Sequence, residues 1–280
     1  MAAADDAVDQ LLALVATRRG VDFRDHRRAA IERGIAARLT ATGITDVARY
    51  GARLEQDDAE TDRLIEALVV PVSSFFRDRA VFDGLEKWIV PDLLARTAGS
   101  LRCWVAGAAT GEEAWSWAML LCWCREMFGG PPIEVLGSDV DERSLAVARR
   151  GRYPAPSAAH VPHRFKTHFL GRSRGSTAAE VIMPDELRAR VHFAHHDLMG
   201  PALAPAEAIL ASFQIISFRN VLIYLDERLR RKALERLRSV LKLGGVLVLG
   251  LVETLPRDLG ADFTSYPGTD PALHIFKRTR

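Results

Sequence analysis

The stretch GAATGEEAWSWAML, Gly107 to Leu120, sets two glycines and two consecutive carboxylates directly behind an apolar run, LRCWVA. It reads as strand, glycine turn and helix, the place where α/β proteins hold nucleotide-like ligands. The side chains narrow the ligand. A phosphate-binding loop needs a lysine after its last glycine to meet the phosphates and a hydroxyl to hold magnesium. Here Gly111 is followed by Glu112 and Glu113, which repel phosphates. The dinucleotide fingerprint G-x-G-x-x-G is broken at Ala108 and Ala109. A nucleoside without phosphates remains, and S-adenosylmethionine fits. Its ribose and adenine are neutral, and its ammonium and sulfonium groups are drawn to a carboxylate.

The next strand-like run ends in Ser138–Asp139. Ligands in open α/β sheets lie over the carboxyl ends of the strands, so Asp139 is placed to accept hydrogen bonds from both ribose hydroxyls. The competing reading makes Asp139 the cap of the helix ERSLAVARR, a role that Asp141 fills equally well. His192, His195 and His196 in HFAHHD, with His160, His163 and His168 upstream, have no companion cysteines, and no metal site is expected. Cys103, Cys122 and Cys124 have no metal-ligand spacing and read as reduced thiols.

The elements that must position these residues alternate. From Leu101 onward, LRCWVAG, IEVLGSD, FQIISFRN and VLVLGLVE read as strands. EEAWSWAMLLCWCREMF, ERSLAVARRG and ERLRRKALERLRSVL read as helices, and KLGG as a turn. Such alternation implies a mostly parallel, doubly wound sheet. Tyr153 to Asp197 breaks the rhythm and reads as an insertion with helix and a small antiparallel piece. PVSSFFRDRAVFDGLEKWIV reads as a helix behind a proline and a cap. Residues 5 to 68 carry only helical spacing, as in Ile31, Ile35 and Leu39, and form a small bundle.

The chain has 280 residues, 48% hydrophobic and 26% charged, with a formal net charge of +2, which gives no global argument for nucleic acid. The acidic start MAAADDAVDQ and the absence of a long apolar run point to a cytoplasmic protein with no membrane insertion. Between Arg18 and Arg53 nine arginines face four acids, a local balance of +5 that suggests a docking face for an acidic partner.

VSSFFRD, AGAATGEEAWS, SDVDERSLAVARRGRY, FRNVLIY, LKLGG and GLVE stand in one order. Together they resemble the CheR-type chemotaxis receptor methyltransferases over nearly the whole chain. The resemblance implies an α/β fold: a Rossmann-like S-adenosylmethionine-dependent methyltransferase domain over 73–280, a helical N-terminal domain over 1–72 and a small inserted β subdomain at about 165–197. It implies an enzyme, a protein-glutamate O-methyltransferase that esterifies glutamates on the cytoplasmic helices of chemoreceptors and releases S-adenosylhomocysteine. By motif, Arg77 and Tyr224 fall on the reaction site. Ser73, Arg77, Gly107, Glu113, Asp139, Asp197, Leu198, Arg219 and Asn220 fall on the cofactor site. The sequence departs from the family at Pro71 and Ser73 (usually Asn and Thr), at Asp197 (Asn), at Gln214 (Asp), and at Ala114–Trp115 (Pro–Tyr).

A glutamate side chain ordinarily titrates at ~4.3, so the acceptor is already ionised near neutrality and no general base is required. The basic helical region implies receptor docking by a monomer. The alternatives are a non-catalytic or divergent cofactor-binding module, and a methyltransferase acting on another protein or a small carboxylate.

Overall fold

The computed structural model describes residues 2–19, 23, 28–68, 73–171, 177–208, 212–256 and 259–280. The chain divides into two compact units.

The first unit comprises Met1–Pro71, Met199–Pro201 and Tyr224–Ala233. Its helices are α1 (Ala2–Arg19), α2 (Arg28–Thr42), α3 (Val47–Gln56) and α4 (Asp58–Leu68). Apolar side chains three or four apart form its core: Leu11, Leu12 and Val15, then Ile31 and Ile35, Tyr50 and Leu54, Leu64 and Leu68. Asp46 starts α3 by accepting from the Arg49 amide at 2.7 Å. Asp57 starts α4 in the same way, accepting from the Glu60 amide at 3.0 Å.

The arginines behave differently from the simple charge count. Glu60 is 1% exposed and takes both arms of Arg38, at 3.0 and 2.9 Å, and the Tyr50 hydroxyl at 2.8 Å. Arg18 meets Asp58 at 2.5 Å, Arg19 meets Asp62 at 2.7 Å, Arg28 meets Asp9 at 2.6 Å and Arg53 meets Asp57 at 3.3 Å. All five of these acids lie outside the window that gave +5. Over residues 1–70, ten arginines stand against thirteen acids, a net of −3. Arg24 and Arg27 lie outside the described residues.

The second unit comprises Val72–Leu198, Ala202–Ile223 and Leu234–Arg280. It opens with an irregular segment, Ser73–Asp78, where a helix was expected; α5 (Arg79–Gly84) starts only at Arg79. It runs through a π-helical turn, Leu85–Ile89, into α6 (Val90–Arg96). Then come β1 (Leu101–Ala106), α7 (Glu112–Phe128), β2 (Ile133–Asp139) and α8 (Glu142–Arg150). A two-stranded antiparallel sheet follows, β3 (Arg152–Pro154) with β4 (Glu180–Ile182), enclosing the short α9 (His163–Phe165). After it lie α10 (Asp185–Arg188), β5 (Val191–His195) and β6 (Phe213–Phe218). The chain closes with α11 (Glu227–Val240), β7 (Leu241–Leu249), β8 (Phe263–Ser265) and β9 (Ile275–Arg278).

The large sheet has the order β5-β2-β1-β6-β7-β9-β8. The first five strands are parallel, and β9 pairs antiparallel with β7 and with β8. Val191–His195, read from sequence as part of the insertion, is therefore the edge strand of the main sheet. KLGG lies within β7, where the register advances two positions along β6 (Phe213 to Ile215) but five along β7 (Leu241 to Val246), so the glycines bulge rather than turn. Trp115, Trp117, Phe75 and Phe82 fill the core between sheet and helices.

Candidate functional site

In the order β5-β2-β1-β6-β7, the strand sequence reverses between β1 and β6, and the carboxyl ends of these two strands flank the crevice where ligands sit in such sheets. The predicted residues in the second unit gather at this edge.

Behind β1 the chain turns at once. Gly107 has φ +77°, and a Cβ there would lie 2.6 Å from a Val221 methyl carbon on the segment that follows β6. Only glycine allows this turn and this approach. Ala109, with φ +46°, points its amide at Asp139 Oδ2 at 2.8 Å. Gly111 leads into α7 with φ +94°.

The two glutamates of the turn part company. Glu112 folds back and accepts from the Thr110 hydroxyl at 2.6 Å. Glu113 reaches across to β6, where it accepts from the Ser217 hydroxyl at 2.5 Å and from Arg219 Nη1 at 3.3 Å. Tyr153 of β3 donates to the Thr110 carbonyl at 2.7 Å and ties the small sheet to the turn.

Asp139 ends β2 and is 7% exposed. Its two oxygens accept from the amides of Ala109, at 2.8 Å, and Asp141, at 3.0 Å. Burial raises its pKa above the ordinary carboxylate value, and these amide bonds oppose the rise. The Val140 amide adds a third bond, and the four lone pairs of the two oxygens leave capacity for a further donor. Asp141, not Asp139, caps α8 through the amides of Arg143 and Ser144, at 3.0 and 3.1 Å. The His196 amide donates to the Asp139 carbonyl at 2.9 Å, and half-buried Asp197 and Leu198 follow immediately.

Arg77 sits between two residues with left-handed backbone, Phe76 at φ +49° and Asp78 at φ +57°. Phe76 is buried, stacked on Phe165 at 4.9 Å, and its amide donates to Ser116 Oγ at 2.9 Å. On the other side, the Arg77 carbonyl and the Asp78 carboxylate both accept from Arg219 Nη2, at 2.8 Å each. Ser73 is half-buried in the same irregular segment, and Pro71 lies outside the described residues.

Arg219 has no exposed side-chain area. Its guanidinium is committed to Glu113, Asp78 and the Arg77 backbone, with the Phe82 ring 5.5 Å away. Next to it, Asn220 adopts φ +60°. Tyr224, half-buried, ends the short helical turn Leu222–Tyr224. Of the five non-glycine residues with left-handed backbone among the described residues, Phe76, Asp78, Ala109 and Asn220 either flank Arg77 or follow β1 and β6. Strain of this kind collects where a site is held in one arrangement.

Sequence reasoning missed the supports of this edge. Ser217, Ser116 and Tyr153 carry no signal of their own, because each acts through a partner far along the chain. Glu253, buried behind β7, lay inside GLVE without a role. Gln214 has a structural use: its side chain accepts from the Arg102 amide at 2.9 Å and donates to the Ser100 carbonyl at 3.2 Å, stitching β6 to β1. A cavity of about 560 Å³ opens at the opposite, amino-terminal edge, lined in part by Arg102, Glu134, Arg188 and His192. None of the predicted residues lines it. Its arginines are committed, Arg102 to Glu134 at 3.3 Å and Arg188 to the Met183 carbonyl at 2.8 Å.

Comparison with known proteins matches residues 71–270 to the CheR methyltransferase SAM binding domain and residues 6–69 to the CheR methyltransferase all-alpha domain. The putative methyltransferase Cher3 of Pseudomonas putida is 32% identical over 249 residues, covering 88% of this chain and 85% of that protein. The chemotaxis protein methyltransferase of Escherichia coli K12 is 31% identical over 255 residues, covering 89% of this chain and 85% of that protein. An uncharacterized 104.1 kDa protein of Rhodobacter capsulatus is 29% identical over 253 residues; the match covers 89% of this chain but 26% of that protein's length.

Proposed function

The chain belongs to the CheR methyltransferase family, and we propose that it esterifies glutamate side chains of chemoreceptors with the methyl group of S-adenosylmethionine. The observation that carries this reading is the carboxyl edge of β1 and β2. There a Cβ-less turn at Gly107 meets a buried Asp139 whose oxygens still have acceptor capacity, and no lysine is present to take a phosphate. These features fit a cationic, phosphate-free nucleoside.

Held at this edge, S-adenosylmethionine would supply an electrophilic methyl to the acceptor carboxylate, the new O–CH3 bond forming as the S–CH3 bond breaks. A carboxylate and a sulfonium become a neutral ester and a neutral thioether, so a site that excludes water favours the reaction over its hydrated reactants. The chain's task is orientation, worth roughly 7–11 kcal/mol in favourable cases. Asp139 holds the ribose hydroxyls. Gly107, Glu113, Ser73, Asp197, Leu198 and Asn220 complete the cofactor's surroundings. Arg77 steers the acceptor carboxylate, and Tyr224 positions it through its hydroxyl. Arg219 belongs to this set through the groups it holds. The enzyme works as a cytoplasmic monomer, and no helix among the described residues is long and apolar enough to cross a membrane. Docking of the receptor falls to the helical unit, through exposed arginines such as Arg33 and Arg49.

The test is calorimetric titration with S-adenosylhomocysteine, followed by labelled methyl transfer to receptor-containing membranes. Base-labile label on the receptor is expected. Heat from ATP or NAD, with none from either sulfur compound, would overturn the reading.

A further inference from the structure

Glu253 follows two exposed apolar residues, Leu251 and Val252, yet is itself only 3% exposed. A buried carboxylate is costly unless its lone pairs are filled. Here backbone amides fill them. Oε2 accepts from the Gly250 amide at 2.7 Å and the Asn220 amide at 2.9 Å. Oε1 accepts from the Ile223 amide at 3.3 Å. Glu253 thus joins the turn after β7 to both ends of the turn after β6. Asn220 is left-handed at φ +60°, a conformation that asparagine tolerates better than most non-glycine residues, and its amide is held there by the Glu253 carboxylate. The approach is close: a Cβ on Gly250 would lie 2.7 Å from Glu253 Oε2 and 3.0 Å from the Asn220 nitrogens.

We propose that Glu253 is a positioning residue, whose carboxylate sets Asn220 against the cofactor through one oxygen and fixes the approach to Tyr224 through the other. The proposal rests on the function proposed above. The two oxygens have separable tasks. In Glu253→Gln the carboxamide oxygen keeps the Asn220 and Gly250 bonds, and the NH2 group is turned on the Ile223 amide, donor against donor. In Glu253→Ala all three bonds go. In Gly250→Ala the clamp is pushed apart from the other side, with the carboxylate intact.

The experiment measures three quantities on each full-length variant: affinity for S-adenosylhomocysteine, kcat on receptor-containing membranes, and melting temperature. Glu253→Gln is expected to keep affinity within about threefold while kcat falls roughly tenfold or more, the effect of one lost bond. Glu253→Ala and Gly250→Ala are expected to lose roughly tenfold in affinity as well. Wild-type protein that binds no S-adenosylhomocysteine overturns the proposed function, and this inference with it. Wild-type protein that binds, alongside folded variants with unchanged affinity and kcat, overturns this inference alone. A lower melting temperature with both other quantities unchanged does the same, because Glu253 is then only a structural tie.

Discussion

At the scale of single residues, the site is held by groups that act through others. Arg219 has no exposed side-chain area and spans Glu113, Asp78 and the Arg77 carbonyl. Lysine carries one compact charge and lacks the planar fork that reaches all three. Arg219→Lys should therefore cost about 1–3 kcal/mol in stability, the range for buried partners left unpaired. It should also depress methyl transfer, because Arg77 loses its backbone anchor. Denaturant midpoints and labelled methyl transfer check both; wild-type turnover in a folded variant would remove Arg219 from the site. Asp139 makes a pH prediction. Burial lifts its pKa in the ligand-free protein. In the proposed site, ribose hydroxyls would donate to the anion and so lower that pKa on binding. Binding then releases a proton in the window just above the ordinary carboxylate value. Affinity for S-adenosylhomocysteine should rise with pH through that window and level off beyond it. In Asp139→Asn this dependence should vanish, with affinity weaker by about 1–3 kcal/mol. Calorimetry across pH tests it, and identical profiles for the two proteins would refute the assignment.

At the scale of elements, the decisive unit is the turn between β1 and α7. Gly107 needs both its positive φ and its missing Cβ, since Val221 occupies the space a side chain would take. Gly107→Ala should cost about 1–2 kcal/mol from backbone conformation, plus a steric part. Adding Val221→Ala should recover the steric part and leave the conformational part. Urea midpoints of the single and double variants separate the two, and equal stability of both would show that the contact with Val221 is of no consequence. The turn after β6 obeys the same logic, with Asn220 in the left-handed conformation and Glu253 as its anchor.

At the scale of the whole molecule, charge has to be read from pairing and not from a window of sequence. Burial alone would raise the pKa of Glu60, but hydrogen bonds from Tyr50, Arg38 and Arg63 prevail and hold it below its ordinary value. A depressed carboxylate contributes stability above its unfolded pKa, and that contribution is lost as pH falls through the folded one. Arg38→Glu would leave a buried carboxylate against a second anion and should destabilise the helical unit by about 3–5 kcal/mol. Amide hydrogen exchange along α3 and α4 would show it. Reversing exposed Arg33 and Arg49 should instead spare stability and slow receptor methylation at low salt, with the gap closing at high salt. Equal rates for this double variant and wild type at low salt would remove the docking role.

The sequence by itself determined what local spacing can encode. Helical periodicity marked α1 to α4, and the strand, glycine turn and two glutamates marked the ligand class. Asp139 was legible as a strand-end acid, with Asp139 and Asp141 both eligible to cap the next helix. These readings held because turns, caps and amphipathic faces depend on residues within a few positions of each other. The tertiary structure alone decided which distant groups meet. The partners of Arg219 lie 106 to 142 residues away. Glu253 reaches back 33 residues to Asn220. The strand Val191–His195 joined the main sheet only because β2 offered it a parallel edge. Arg18, Arg19, Arg28 and Arg38 are taken up by acids on α4 and α1, while Arg33 and Arg49 stay exposed. Burial and pairing belong to the assembled chain, since a carboxylate's partner is set by which segments pack against it.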